Sequence, residues 1–333
     1  SIAGCAGNTA QLRAFLAASD LVSCPTRLDE DEPGFSLDLD QLEIPKAEQA
    51  ALIPLAAAPR DLMLDWRAAY HREVLGTGAD VSEEKAAQIA ETNVAPLIWP
   101  GGNLQDAIAQ ADAILISSGP SAEGCPVLND VAEALKQAKH LKWIGYLSTT
   151  GVYGDMQGGW VDETTPADPS TKRGRWRKEA EEGWLDLARN NGLPVHIFRL
   201  AGIYGPGRGP LAKVLNGTAR RIVKKDQVFS RIHVNDIAQV LMASLQQPNP
   251  GRIYNVCDND PAPPQDVLAE AARLLDRDLP PEEDFETAEM SPMARSFYAT
   301  SKRVSNKRIR SELGVTLKYP DYRSCLRAML DEI

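Results

Sequence analysis

The chain has 333 residues, 43% of them hydrophobic, and carries 36 Lys and Arg against 46 Asp and Glu, for a net charge of −10. That length supports a substantial core in one large or two modest domains. The charge excludes a global attraction to nucleic acid or anionic membrane, and no apolar run approaches the roughly 20 residues of a membrane span. Cys5, Cys24, Cys125, Cys257 and Cys325 are odd in number, scattered and without a C-x-x-C pair, and the histidines are equally dispersed. Neither a disulfide scaffold nor a metal site is expected, and the cysteine usage suits a reducing compartment.

Residues 1–50 read as an acidic extension, with Pro and Gly but no sustained period in "RLDEDEPGFSLDLDQLEIPK". From about residue 51 strands and helices alternate. Strands are expected at 73–77, 94–99, 113–117, 143–148 and 194–200. Helices are expected at 82–91, 103–111 and 128–139 and in the charged stretch around Arg173. Crossover helices between apolar strands imply a parallel sheet covered on both faces, a doubly wound, Rossmann-like α/β domain over 51–200. Beyond residue 200 a smaller C-terminal lobe, 201–333, is expected to interleave with the sheet through 227–258. It holds a basic patch at 219–225 that leads into 227–234, a helix at 236–247 with Asp236 as its cap, a strand at 252–258, and helices at 267–277 and in "SKRVSNKRIRSELG", ended by Gly314.

The segments "YLSTTGVYGD", "VDETTPADP", "FRLAGIYGPGR", "RIHVNDIAQVL" and "IYNVCDNDPAPPQDVL" occur in an order and spacing that resemble the extended and atypical short-chain dehydrogenase/reductases, the NAD-dependent epimerase/dehydratase group. The resemblance covers about 73–330. It implies hydride exchange with a nicotinamide cofactor, in which a Tyr is general acid/base, a Lys four residues on tunes it and holds the ribose, and a Ser or Thr orients substrate. Thr149 stands at the Ser/Thr position. The Tyr and Lys positions fall on Arg173 and Arg177. A guanidinium has no accessible proton transfer near neutral pH, so Arg173 does not replace a phenol, whereas Arg177 retains the means to bond a ribose. Thr149 is then vestigial.

The glycine-rich cofactor loop is also altered. Counting back from "EVLGT", its glycine positions read Leu55, Ala57 and Arg60, where β-carbons and a side chain fill space that pyrophosphate needs. Arg60 could pair with an anion there. A rival loop, "IAGCAGNTAQL" with Gly4 and Gly7, requires a long insertion at 24–70. Thr77 ends the second strand without an acidic residue. Ser117, Ser118 and Gly119 end the fourth, where a nicotinamide ribose would lie. Arg208 and Arg231 match positions that hold substrate phosphate or carboxylate. Tyr153 and His233 complete the expected pocket, with His233 securing its turn through hydrogen bonds.

Three functions follow. The first is a catalytically degenerate NAD(P)-fold protein, with NADP or NAD bound weakly or not at all, acting as an accessory subunit with other protein subunits as partners. The start at Ser1 and the resemblance to plant-type members point such a subunit to a chloroplast or other organelle, with the cytoplasm as alternative. The second is an oxidoreductase or epimerase with substituted residues. The third is an RNA-binding protein using Arg173, Arg175, Arg177, Lys178, Arg220, Arg221, Lys224 and Lys225; net charge and the lack of an aromatic stacking platform argue against it.

Overall fold

The computed structural model describes residues 26–29, 34–37 and 104–330. The chain divides into two compact units, Ser1–Pro96 and Leu97–Ile333. The strands expected at 73–77 and 94–99, the helix at 82–91, both candidate glycine loops, Arg60 and Thr77 lie outside the described residues. Within the first unit, strands β1 (Thr26–Asp29) and β2 (Gly34–Leu37) form an antiparallel pair with Leu28 opposite Phe35. The acidic stretch is therefore not wholly irregular. Two four-residue strands are too short to show a period in the sequence.

The second unit holds the parallel sheet. Its elements run α1 (Leu104–Gln110), β3 (Ala113–Ile116), α2 (Pro126–Gln137), β4 (Trp143–Thr149), then after β5 (Trp160–Val161) α3 (Lys172–Asn191) and β6 (Val195–Leu200). After β7 (Gly202–Tyr204), α4 (Pro210–Leu215), β8 (Arg221–Val223) and β9 (Arg231–His233), α5 (Val234–Gln246) leads to β10 (Ile253–Val256). The strands lie in the order β10-β6-β4-β3, all parallel, so each crossover helix moves the chain one place across the sheet. This is the Rossmann-like α/β architecture expected, and β10 ties residues beyond 200 into the same sheet.

Alternation along the strands builds two cores. Ile144, Tyr146, Val195 and Ile197 face Val131 and Leu135 of α2 and Ala180, Trp184 and Leu187 of α3. Trp143, Phe198, Tyr254 and Val256 face Ile237 and Val240 of α5 and Ile309 and Leu313 farther on. Period two sends neighbours to opposite faces, and both faces are covered. Gly145 is required by this packing: a Cβ there would sit 2.1 Å from the Trp143 ring. The indole lies across it and donates to Ser244 Oγ at 3.1 Å, which anchors α5.

The remaining elements are α6 (Pro264–Leu274), β11 (Glu282–Asp284), α7 (Pro292–Phe297), β12 (Arg303–Val304), α8 (Lys307–Leu313) and α9 (Tyr322–Leu330). "SKRVSNKRIRSELG" is not one helix. Its first half pairs with β5, with Arg303 N donating to Gly159 O at 2.8 Å and Ser305 N to Val161 O at 2.8 Å; only Lys307–Leu313 is helical. Gly314 ends it in the left-handed conformation, φ 64°. Within 227–234 the strand is Arg231–His233, and Phe229 forms a separate bridge with Ala262. Asp236 does not cap α5. His233 does, its Nδ1 accepting from Asn235 N at 3.1 Å, while buried Asp236 accepts from Lys318 N and Tyr319 N at 2.7 and 3.0 Å.

Candidate functional site

The carboxyl edge of a parallel sheet is where ligands bind in open α/β folds. Here that edge gathers Ser117, Ser118 and Gly119 after β3, Thr149 at the end of β4, and the first turns of α3. Two features fix the start of α3. Thr171 Oγ1 accepts from Gly174 N at 3.1 Å, an N-cap. Gly174 lets the helix press on the neighbouring loop, since a Cβ there would be 2.7 Å from Pro169 Cβ and 3.2 Å from Gly151 O.

With that register, Arg173 is exposed on the first turn and Arg177, one turn on, reaches back to the sheet. Its Nη1 donates to Leu147 O at 2.7 Å and to Tyr146 Oη at 3.2 Å. A Cβ on Gly119 would lie 3.2 Å from Arg177 Nη2, so the guanidinium sits beside the end of β3. Ser118 Oγ is buried with no hydrogen-bond partner among the described residues, whereas Ser117 is exposed. Thr149 Oγ1 accepts from Gly151 N at 3.1 Å and caps the short helical turn Thr150–Tyr153. The structure thus brings Arg177 and Gly119 together and leaves Arg173 outside their cluster.

A buried polar network beneath this edge was missed in the sequence. Arg199 of β6 donates bidentately to Glu181 of α3, Nε to the carboxylate at 3.1 and 3.2 Å and Nη2 at 2.7 Å, and Ser148 Oγ donates to the same carboxylate. The side chains of Arg199 and Glu181 are 6% and 3% exposed. The Arg199 cation lies 4.8 Å from the centroid of the Tyr153 ring, whose hydroxyl donates to Asn255 Oδ1 at 2.7 Å. Tyr153 is fully buried, so it belongs to the core rather than to a substrate pocket as expected. The legible signal was Glu181 itself, set in the same helical stripe as Ala180, Trp184 and Leu187.

Burial governs the phenols near the site. Burial pushes the Tyr146 hydroxyl up to about 12, outweighing the nearby Arg177 cation. Burial likewise raises Tyr153 and Tyr204.

The positions read as substrate contacts differ in exposure. Arg208 is exposed in a turn closed by Gly205. Arg231 Nη1 donates to Phe229 O at 2.8 Å and Ala262 O at 3.1 Å, and burial pulls its pKa down against the pull of Asp258. His233 is buried at its cap, its ring 4.1 Å from that of Tyr319 and edge-on to Tyr204 at 5.6 Å. The basic stretch around 220 is largely neutralised: Arg220 pairs with Glu283, and Arg221 with Glu282 at 2.8 Å. Lys224 donates to Tyr298 O. An aromatic cluster absent from the sequence reading does form there, with Phe285 and Tyr298 stacked at 5.4 Å and Phe229 edge-on to Tyr298 at 5.5 Å. Two cations already cover Phe285, Lys224 at 5.0 Å and Arg295 at 4.8 Å.

A one-way parallel sheet with a capped helix delivering residues to its carboxyl edge after "STTGVYG" defines an α/β protein of the Rossmann type, built as the short-chain dehydrogenase/reductases are. The family model described as the NAD dependent epimerase/dehydratase family matches residues 127–257. Protein YeeZ of Escherichia coli (strain K12) is 36% identical over 225 residues, spanning 65% of this chain and 74% of that protein. A solved structure described as a functionally unknown conserved protein from Silicibacter pomeroyi DSS is 49% identical, with a TM-score of 0.70 over 80% of this chain and 94% of that one. The chain belongs to the NAD-dependent epimerase/dehydratase family. The dTDP-glucose 4,6-dehydratase of Bacillus anthracis str. Ames in complex with NAD shares the fold, at 18% identity and a TM-score of 0.61 over 77% of this chain and 85% of that one. No helix among the described residues is long and apolar enough to cross a membrane.

Proposed function

We propose that this chain keeps the family's nucleotide-binding fold without its acid–base chemistry, and works as a binding or accessory subunit. One observation carries the reading. Where the family's helix presents its proton-transferring pair, α3 presents an exposed Arg173 and an Arg177 whose guanidinium is engaged by a backbone carbonyl and a buried phenol. Neither guanidinium donates or takes a proton near neutral pH, and burial raises the pKa of Tyr146, Tyr153 and Tyr204. The described half of a dinucleotide cradle does suit a ribose: Ser118 Oγ lacks a partner among the described residues, and Arg177 stands beside Gly119. A nicotinamide bound there would supply a hydride. Arg177 and Ser118 would orient its ribose, but neither would move the accompanying proton.

The assembly partner and an organellar location rest on the sequence character alone. A second reading, an oxidoreductase or epimerase with substituted residues, is favoured by the Arg177–Gly119 pairing at the family's cofactor edge. Spectrophotometric oxidation of NADPH across a panel of aldehydes and sugars separates the two. No turnover is expected; robust turnover abolished by Thr149→Ala would establish the second reading. Purification at native abundance tests the subunit role, which predicts migration with a larger complex.

A further inference from the structure

A cavity of about 370 Å³ opens between the loop after β4, the β8–β9 connection, the start of α6 and β12. It falls in the range of small-molecule sites, ~300–1,000 Å³. None of Ser117, Ser118, Gly119, Thr149, Arg173 and Arg177 lines it.

Its polar atoms are arranged unusually. Gln227 is 1% exposed, and its Nε2 donates to Thr300 O at 2.7 Å. A carbonyl only accepts, so this bond fixes which end of the amide is nitrogen. Gln227 Oε1 is then a buried acceptor, and it has no partner among the described residues. Gln265 Oε1, across the cavity at the start of α6, is in the same position. A buried acceptor without a partner is costly, so two on one cavity call for a partner that donates.

The backbone around the cavity is also strained. Gln157 and Asp226 both line it with left-handed φ of 50° and 59°, and among the described residues only Asp276 is another non-glycine with positive φ. Each conformation is held from outside: Gln157 N donates to Asp155 Oδ1 at 3.2 Å, and Asp226 O accepts from Ser301 Oγ at 2.9 Å. Strain of this kind persists where the surroundings impose it, and it clusters at ligand sites. The two cations present, Lys224 and Arg303, already donate to the carbonyls of Tyr298 and Gly158. They retain further N–H donors, while Asp226 and the two amide oxygens only accept.

We infer that this cavity is a binding site for a small neutral polyhydroxylated ligand, a polyol or monosaccharide, separate from the carboxyl edge of the sheet. Hydroxyl groups both donate and accept. They supply protons to Gln227 Oε1 and Gln265 Oε1 and receive them from Lys224 and Arg303. An anion meets two amide oxygens and the Asp226 carbonyl side of the wall; a cation meets Lys224 and Arg303.

The test uses the full chain without nicotinamide cofactor, so its outcome is independent of hydride chemistry. D-glucose and myo-inositol are titrated while the side-chain amide resonances of Gln227 and Gln265 are followed by NMR. Permethylated glucose, which has no O–H donor, is the control. Saturable shifts of both amides with the first two probes and none with the control are expected. Gln265→Met, at a half-buried rim position, should weaken binding about tenfold with the fold intact, judged by its unchanged spectrum elsewhere. Absence of saturable shifts with either polyol, equal binding of the control, or undiminished binding by Gln265→Met would overturn the site. So would a crystal structure soaked in either polyol that shows only ordered water on the two amide oxygens.

Discussion

The two ends of α3 differ in kind. Its middle carries Glu181, clasped by Arg199 and Ser148 at almost no exposure. Its amino-terminal turn carries Arg173, exposed to solvent. The buried part bonds β4 and β6 to the helix and holds its register; in the first turns, where the family places its chemistry, the cap at Thr171 and the Arg177 bonds hold the helix while Arg173 points to solvent. A single helix thus shows that the demands of a fold and of a reaction are separable.

The largest expected effect lies in the buried half. Arg199→Leu leaves the Glu181 carboxylate buried without its cation, and removing one partner of a buried pair costs about 3–5 kcal/mol. Urea unfolding at neutral pH measures it. Glu181→Leu with Arg199→Leu should recover much of that loss, because both charges leave together. A single-variant cost below about 1 kcal/mol would mean that the pair is not desolvated as its exposure indicates.

Next comes Gly145→Ala, which forces a methyl against the Trp143 indole. Overpacking of this kind costs about 1–3 kcal/mol. The same substitution in a Trp143→Leu background should cost less, and an equal cost in both backgrounds would place the strain elsewhere.

The lobe beyond β9 offers a pH test of stability. Burial pushes the Asp258 carboxyl up from 3.8 to about 8. A group whose pKa is higher folded than unfolded stabilises fully below its unfolded value, and that contribution is lost as pH rises through the folded one. Stability should therefore fall between about pH 4 and 8, by at most about 1.4 kcal/mol per pH unit. Lys302, pushed by burial from 10.5 down to about 8, has the opposite effect only between those two values. Below pH 8 Lys302 drops out, while Glu163, raised by burial, and His196, lowered by burial, titrate alongside the carboxylate. Asp258→Asn should flatten the slope there, and an unchanged slope would assign it to another group.

The sheet was legible because its strands are apolar runs, mostly buried, and the register of α3 because Gly174, Ala180 and Glu181 mark its packed face. Partner choice was not legible. Nothing local in "PVHIFRL" says that Arg199 turns inward to Glu181, 18 residues away. Nor does "SKRVSN" show that it pairs with β5 across more than a hundred residues, since its spacing of basic and apolar residues is also compatible with a helix. His233 secures its turn as a helix cap, as expected, whereas the backbone carbonyls that Arg231 bonds, Phe229 O and Ala262 O, were not legible in the sequence.

The smallest effects sharpen the comparison most. Arg173→Ala removes an exposed side chain from a first turn and should change stability by no more than about 0.5 kcal/mol. Arg177→Ala loses bonds to Leu147 O and Tyr146 Oη and should cost about 1 kcal/mol. Calorimetric titration with NADP then asks whether Arg177 does more than brace the sheet edge. Weak binding is expected for the native chain, weaker still for Arg177→Ala, and unchanged for Arg173→Ala. Micromolar or tighter affinity in the native chain would mean that the cofactor site has been kept intact. A loss of affinity in Arg173→Ala as large as in Arg177→Ala would show that the exposed end of α3 still belongs to the site.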